Sequence, residues 1–203
     1  MAVEAGDGCS LSALYAVKTA GVSGDVSLNL NGGTYNGIGV VTSGPEVKKN
    51  LNVTMRNITL RESAKGAAVD SGCKIVGNVT FDADGVNALG GDSFTVLKAA
   101  NCTGKLDVSL KNYTGSGWTF YGIESGSYVE GDTDIKILGG SGTFGGVYGI
   151  NGSSGLKGQV KVLIENCTVS GAVYGASGCS FLRNEGVQGD SYDADITIRK
   201  NSA

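Results

Sequence analysis

The chain has 203 residues, a formal net charge of −3 and no histidine. That length fits one domain with a substantial core, and the charge has the wrong sign for a basic nucleic-acid-binding stripe. Glycine is abundant (35) and proline nearly absent (1), yet 40% of the residues are hydrophobic and regularly placed, which excludes a disordered low-complexity chain. No apolar run approaches the ~18 residues that would insert in a membrane.

The opening MAVEAGDGCS lacks the basic and apolar regions of a signal peptide. It reads as a cytosolic start or as a piece of a longer secreted chain, and the repeat that follows favours the second. Residues 1–24 are expected to be a partial first rung or an N-terminal cap. Leu11, Leu14 and Tyr15 have the spacing of a cap helix. Leu14-Tyr15-Ala16-Val17 also reads like Val147-Tyr148-Gly149-Ile150, in which case the chain enters at the second strand of a rung.

A four-residue pattern then recurs: a polar residue, Val or Ile, a mostly polar residue, and a larger apolar one. Its copies start at Asp25, Asn52, Asn78, Asp107, Asp134, Lys161 and Asp195. Measured at the Val/Ile position, the steps are 27, 26, 29, 27, 27 and 34 residues. Alternation within each copy sends Val26 and Leu28 to one face and Ser27 to the other. A polar turn follows, with Asn57, Asn112 and Asn166 in identical register, and Asn tolerates the left-handed conformation of a sharp corner. A second strand comes next: Gly39-Val40-Val41, Ala67-Ala68-Val69, Phe94–Leu97, Phe120–Ile123, Val147–Ile150 and Val173–Ala176. A Ser/Gly turn and a weaker third strand lead back to Gly77, Gly104, Gly131 or Gly158.

Three short strands and three corners in ~27 residues make one rung of a parallel β-solenoid, which buries its apolar face only by stacking on the next. The fold class is therefore all-β: a single-stranded right-handed parallel β-helix of about seven rungs, occupying 1–203 as one domain. The long last step points to an inserted loop at 181–192 (FLRNEGVQGDSY). The chain ends soon after a first strand, so either it continues or copies associate head to tail through open edges.

Several residues invite a functional reading. Tyr121, Tyr148 and Tyr174 should stack as a ladder, with Tyr15 extending a similar position and Trp118 and Phe120 beside it. Such a row is either a platform for sugar rings or a stabilising stack. Asp107 and Asp134 occupy one position in adjacent rungs, with Glu130 and Asp132 alongside. This oxygen-only group suits Ca²⁺ or is a solvated acidic face; Asp190, Asp193 and Asp195 form a similar one. Asp82 and Asp84 have the spacing of an acid/base pair but are placed at a corner. Cys73 and Cys102 lie six residues before Val79 and Val108 and are read as stacked thiols or a disulfide between coils. Seven N-x-[S/T] sequons follow from the Asn corners and Thr-bearing strands and are assigned no glycan.

The [D/N]-V-x-L copies, the N-x-T corners and the VYG strands resemble the pectate-lyase-like parallel β-helices. They are most similar to the solenoid repeats of bacterial cell-surface and adhesin-like proteins. The resemblance implies an extracellular stalk or binding segment facing a polysaccharide or host surface. It also implies, as an alternative, a polysaccharide lyase or hydrolase, whose chemistry uses an Arg or Lys base near Ca²⁺ or a close Asp pair. Against that, histidine is absent and Arg56, Arg61, Arg183 and Arg199 are scattered. The expectation is a non-enzymatic surface segment, with a self-assembling fibre subunit as the other class.

Overall fold

The computed structural model describes residues 1–90, 93–152, 154–181 and 194–200. Among them there is no helix, and the strands pair in parallel with strands about one repeat away. This is a β-solenoid of about six turns with three faces. Sheet A has eight strands, running in order from Ala2–Ala5 and Val26–Asn31 to Val160–Glu165 and Ala194–Arg199. Sheet B has ten and includes the longest, such as Thr34–Thr42 and Thr114–Glu124. Sheet C has six two-residue strands, from Glu46–Val47 to Ser180–Phe181. On that side the earliest turn contributes an isolated bridge from Val22 to Val47, and the solenoid has about six turns where about seven rungs were expected.

Sheet A sets the register. Leu28, Val53, Phe81, Val108, Ile135 and Val162 form one buried column. Two of the repeat copies are therefore shifted from their expected alignment: Val26 and Val79 both pair with Leu51, not with Val53. The slip is two residues, and since the side-chain period of a strand is also two, every residue keeps its expected face. Corrected, the steps from Leu28 through Val53, Phe81 and Val108 are 25, 28 and 27 residues.

The same slip misaligned the cysteines. Cys102 stands opposite Ile75, and Cys73 lies two residues earlier in its rung. All five thiols are free, so no disulfide joins the coils. Cys102 is fully buried, and that burial pushes its thiol up to about 11.

The corners have a clear physical cause. Gly32, Asn57, Gly85, Asn112, Gly139 and Asn166 occupy one column, each with φ between 49° and 78°. This is the left-handed region, which Gly and Asn enter at least cost. At the third corner the backbones of Gly77, Gly104, Gly131 and Gly158 stack; a Cβ on Gly104 would lie 2.5 Å from the Gly77 carbonyl oxygen.

A second ladder precedes sheet A. The Asn50 N–H donates to Asp25 Oδ1 (3.0 Å), Asn78 N–H to Asn50 Oδ1 (2.9 Å), and Lys105 N–H to Asn78 Oδ1 (2.9 Å). The Gln159 N–H donates to Asp132 Oδ1 (3.1 Å) in the same way. Asp25 is held below the usual carboxylate range, chiefly by the Asn50 N–H.

The N-terminal segment is strand throughout: Ala2–Ala5 in sheet A, then Ser10–Leu11 and Leu14–Lys18 in sheet B. The cap-helix alternative is thereby excluded, and the first rung begins on sheet A, one strand earlier than expected. The insertion placed at 181–192 lies outside the described residues, apart from the backbone of Phe181.

Candidate functional site

Two outer faces carry the residues singled out by the sequence. On sheet A the outward side chains are mostly polar and include charges of both signs. Asp107 and Asp134 are direct neighbours, and the next residue in their column is Lys161. Lys136 Nζ donates to Asp134 Oδ2 at 2.8 Å, and this bond, with the charges of Asp134 and Asp107, raises the lysine above its usual pKa. Glu130 faces Lys157 at 3.9 Å, and Asp132 faces Lys105 at 3.9 Å while holding the Gln159 N–H.

Three of the four carboxylates expected to hold Ca²⁺, Glu130, Asp132 and Asp134, thus face separate lysines, while Asp107 shares the field of Lys136 with Asp134. Among the described residues no three His, Cys, Asp or Glu side chains come together as a metal site. Asp132 had looked like a ligand because it adjoins Asp134. Its role in the corner ladder was legible in the matching positions of Asp25, Asn50 and Asn78. Of the second acidic group, Asp190 and Asp193 lie outside the described residues.

Asp82 and Asp84 are on the strand Val79–Asp84, not at a corner. Asp82 pairs with Arg56 and has Lys111 at 3.8 Å. Asp84 accepts a hydrogen bond from Asn112 Nδ2 at 2.8 Å. Neither is free to share a proton with the other.

Sheet B presents a different surface. Tyr121, Tyr148 and Tyr174 are in exact register, with ring centroids 4.8 and 5.2 Å apart and planes tilted by 23° in both pairs. The column points outward: Tyr174 is 43% exposed, Tyr121 and Tyr148 partly so. Burial of its inner side, with Glu124 and Tyr148 nearby, pushes the Tyr121 phenol up. Gly122 and Gly149 follow two of these tyrosines because their inward Cβ positions are taken by Ile135 and by the Gly175 carbonyl.

Trp118 does not belong to this platform. It is 2% exposed and stacks in the core on Tyr113 (5.6 Å), close to Phe94 (5.8 Å). Phe120 is buried as well. Thr119 and Tyr121 carry the outward parity of the strand, and Trp118 and Phe120 the inward one. Tyr113 completes this core cluster, 4.2 Å from Phe144, and its buried phenol is pushed up to about 12.

The column continues beyond the three tyrosines. Pairing through Thr95, Ala67 and Gly39 leads to Tyr15, which is 50% exposed. Sheet B therefore carries aromatic rings at both ends of one column, with Gly39, Ala67 and Thr95 between them.

The chain matches no family model, no curated protein and no solved structure. What it can do must be read from these surfaces. A stack of outward tyrosines turns ring edges and hydroxyls to solvent and leaves ring faces only at its two ends, which suits the hydroxyl edges and apolar faces of sugar rings.

Proposed function

We propose that the chain is a non-enzymatic β-solenoid segment of an extracellular, cell-surface protein, and that sheet B is its glycan-binding face. The observation that carries this reading is the outward Tyr121–Tyr148–Tyr174 stack. On sheet A, Asp82, Asp132 and Asp134 are engaged by an arginine, by lysines or by a backbone N–H. The surface location rests on the resemblance of the repeats to adhesin-like solenoids. A glycan array probed with the native chain and with Tyr148→Ala tests the reading. Retention of defined glycans by the native chain, lost in the variant, is expected; no retention on any glycan leaves only a structural role.

One observation favours a second role, self-association as a fibre subunit. Ile196 and Ile198 continue columns that are buried in earlier rungs, yet they are 41% and 64% exposed. Sedimentation velocity over a concentration series tests this. Growing oligomers that Ile198→Lys abolishes support it, and a concentration-independent monomer contradicts it.

A further inference from the structure

The last strand in the order of sheet A, Ala194–Arg199, has an open edge. Among the described residues it pairs only with Val160–Glu165. Five of its six residues are exposed, Ile196 and Ile198 among them. In the rungs before it the same two columns are buried, from Leu28 to Val162 and from Leu30 to Ile164. An edge of this kind offers a row of N–H and C=O groups to another strand.

The neighbouring rung fixes which backbone groups face that edge. The Asn166 N–H donates to the Arg199 carbonyl at 3.0 Å. A parallel ladder engages alternate residues of a strand. Asp195, Thr197 and Arg199 therefore turn their backbone groups toward Val160–Glu165, and Ile196 and Ile198 turn theirs to the open side.

The run Asp195-Ile196-Thr197-Ile198-Arg199 is complementary to itself when laid antiparallel. With Thr197 opposite Thr197 of a second copy, Ile196 meets Ile198, and the two exchange both backbone hydrogen bonds. Asp195 then meets Arg199 at the closer, non-hydrogen-bonded kind of pair, where opposite charges attract across strands. The preceding rung extends this order, because Lys161 lies beside Asp195 and Glu165 beside Arg199. Across the joint each of these columns reads Lys161, Asp195, Arg199, Glu165, with the sign alternating at every step. A slip of two residues either way breaks both Asp195–Arg199 pairs, and a slip of one turns the isoleucines to the polar face. Head-to-tail pairing with Ala2–Ala5 would instead continue the columns with Ala2 beside Asp195 and Gly6 beside Arg199, which offer no charged side chain.

We propose that two copies of the chain pair edge to edge through this strand, so that their A sheets become one continuous sheet about a twofold axis at Thr197. A contact of this symmetry uses the same residues from both copies and closes at two. The inference rests on the self-association reading above and names the contact through which copies meet.

The test uses the full 203-residue chain. Sedimentation velocity over a concentration series should show a monomer–dimer equilibrium. Asp195→Arg and Arg199→Asp each set like charges opposite one another, and each should weaken the dimer about tenfold or more. Mixed together, the two variants place Arg opposite Asp at both positions, and dimers should return. Thr197→Cys marks the register. Mild oxidation should link position 197 to itself, as shown by peptide mass mapping against the native chain, because this pairing brings the two copies within disulfide reach there. If the chain self-associates but mixing restores nothing and no 197–197 link forms, the edge-to-edge pair is overturned and the fibre reading stands. If the chain stays monomeric at every concentration, both fall together.

Discussion

The outer faces of sheets A and B are built on the same inner core and the same rung spacing, but they use their side chains in opposite ways. Sheet A is laced with ion pairs: Arg56 and Lys111 flank Asp82, and Lys136 holds Asp134. Sheet B carries instead a column of outward tyrosines that stack on one another. A repeat fold offers every column the same geometry, so a column left unsatisfied is more informative than one rich in charge. On that criterion the acidic group of sheet A, the more conspicuous in the sequence, is read as structural, and the quieter column of sheet B is the surface proposed to bind.

The largest expected effect tests which rings are core and which are surface. Trp118→Ala should cost about 3–5 kcal/mol, as truncation of a buried aromatic does, and should shift the denaturant midpoint strongly. Tyr148→Ala removes an outward ring with two stacked neighbours and should cost about 0.5–1.5 kcal/mol. Equal losses from the two would erase the distinction between platform and core.

Alkali gives an intermediate effect. The Cys102 thiol rises from 9.0 to about 11 on folding, and the Tyr113 phenol from 10.0 to about 12. A group whose pKa is raised in the folded state contributes stability that is fully present below its unfolded value and is lost as pH climbs through the folded one. Stability should therefore hold up to about pH 9 and decline between pH 9 and 12 in urea titrations. Cys102→Ala should soften the first part of that decline. A midpoint independent of pH over this range would contradict the burial of both groups.

The smallest effect belongs to sheet A. Arg56→Ala should cost about 0.2–1 kcal/mol, because both partners of its pair with Asp82 are about one-third exposed and salt screens such pairs. It should leave glycan binding untouched. A large loss of binding would move the functional face to sheet A.

Much of this was legible in the sequence, for reasons specific to a solenoid. The ~27-residue period fixed the class of fold, and the Asn57, Asn112 and Asn166 corners kept their register because one backbone conformation is required at each. The tyrosine column was legible for the same reason. Register inside sheet A was less secure. Val and Leu are interchangeable on a flat apolar face, so Val26 and Val79 could slide by two residues without moving any side chain across the sheet. Trp118 was misplaced although plain alternation back from Tyr121 puts it, with Phe120, on the inner side. The full extent of the outward column was not legible: Gly39, Ala67 and Thr95 carry no motif, and only the strand pairing places them in line with Tyr15 and Tyr121.

Amide chemical-shift mapping on the ¹⁵N-labelled chain, titrated with the best-retained glycan, tests the central claim most directly. The account predicts shifts confined to the outer face of sheet B, centred on Tyr121, Tyr148 and Tyr174, with sheet A silent. Shifts centred on Asp107, Asp134 and Lys136 would contradict it.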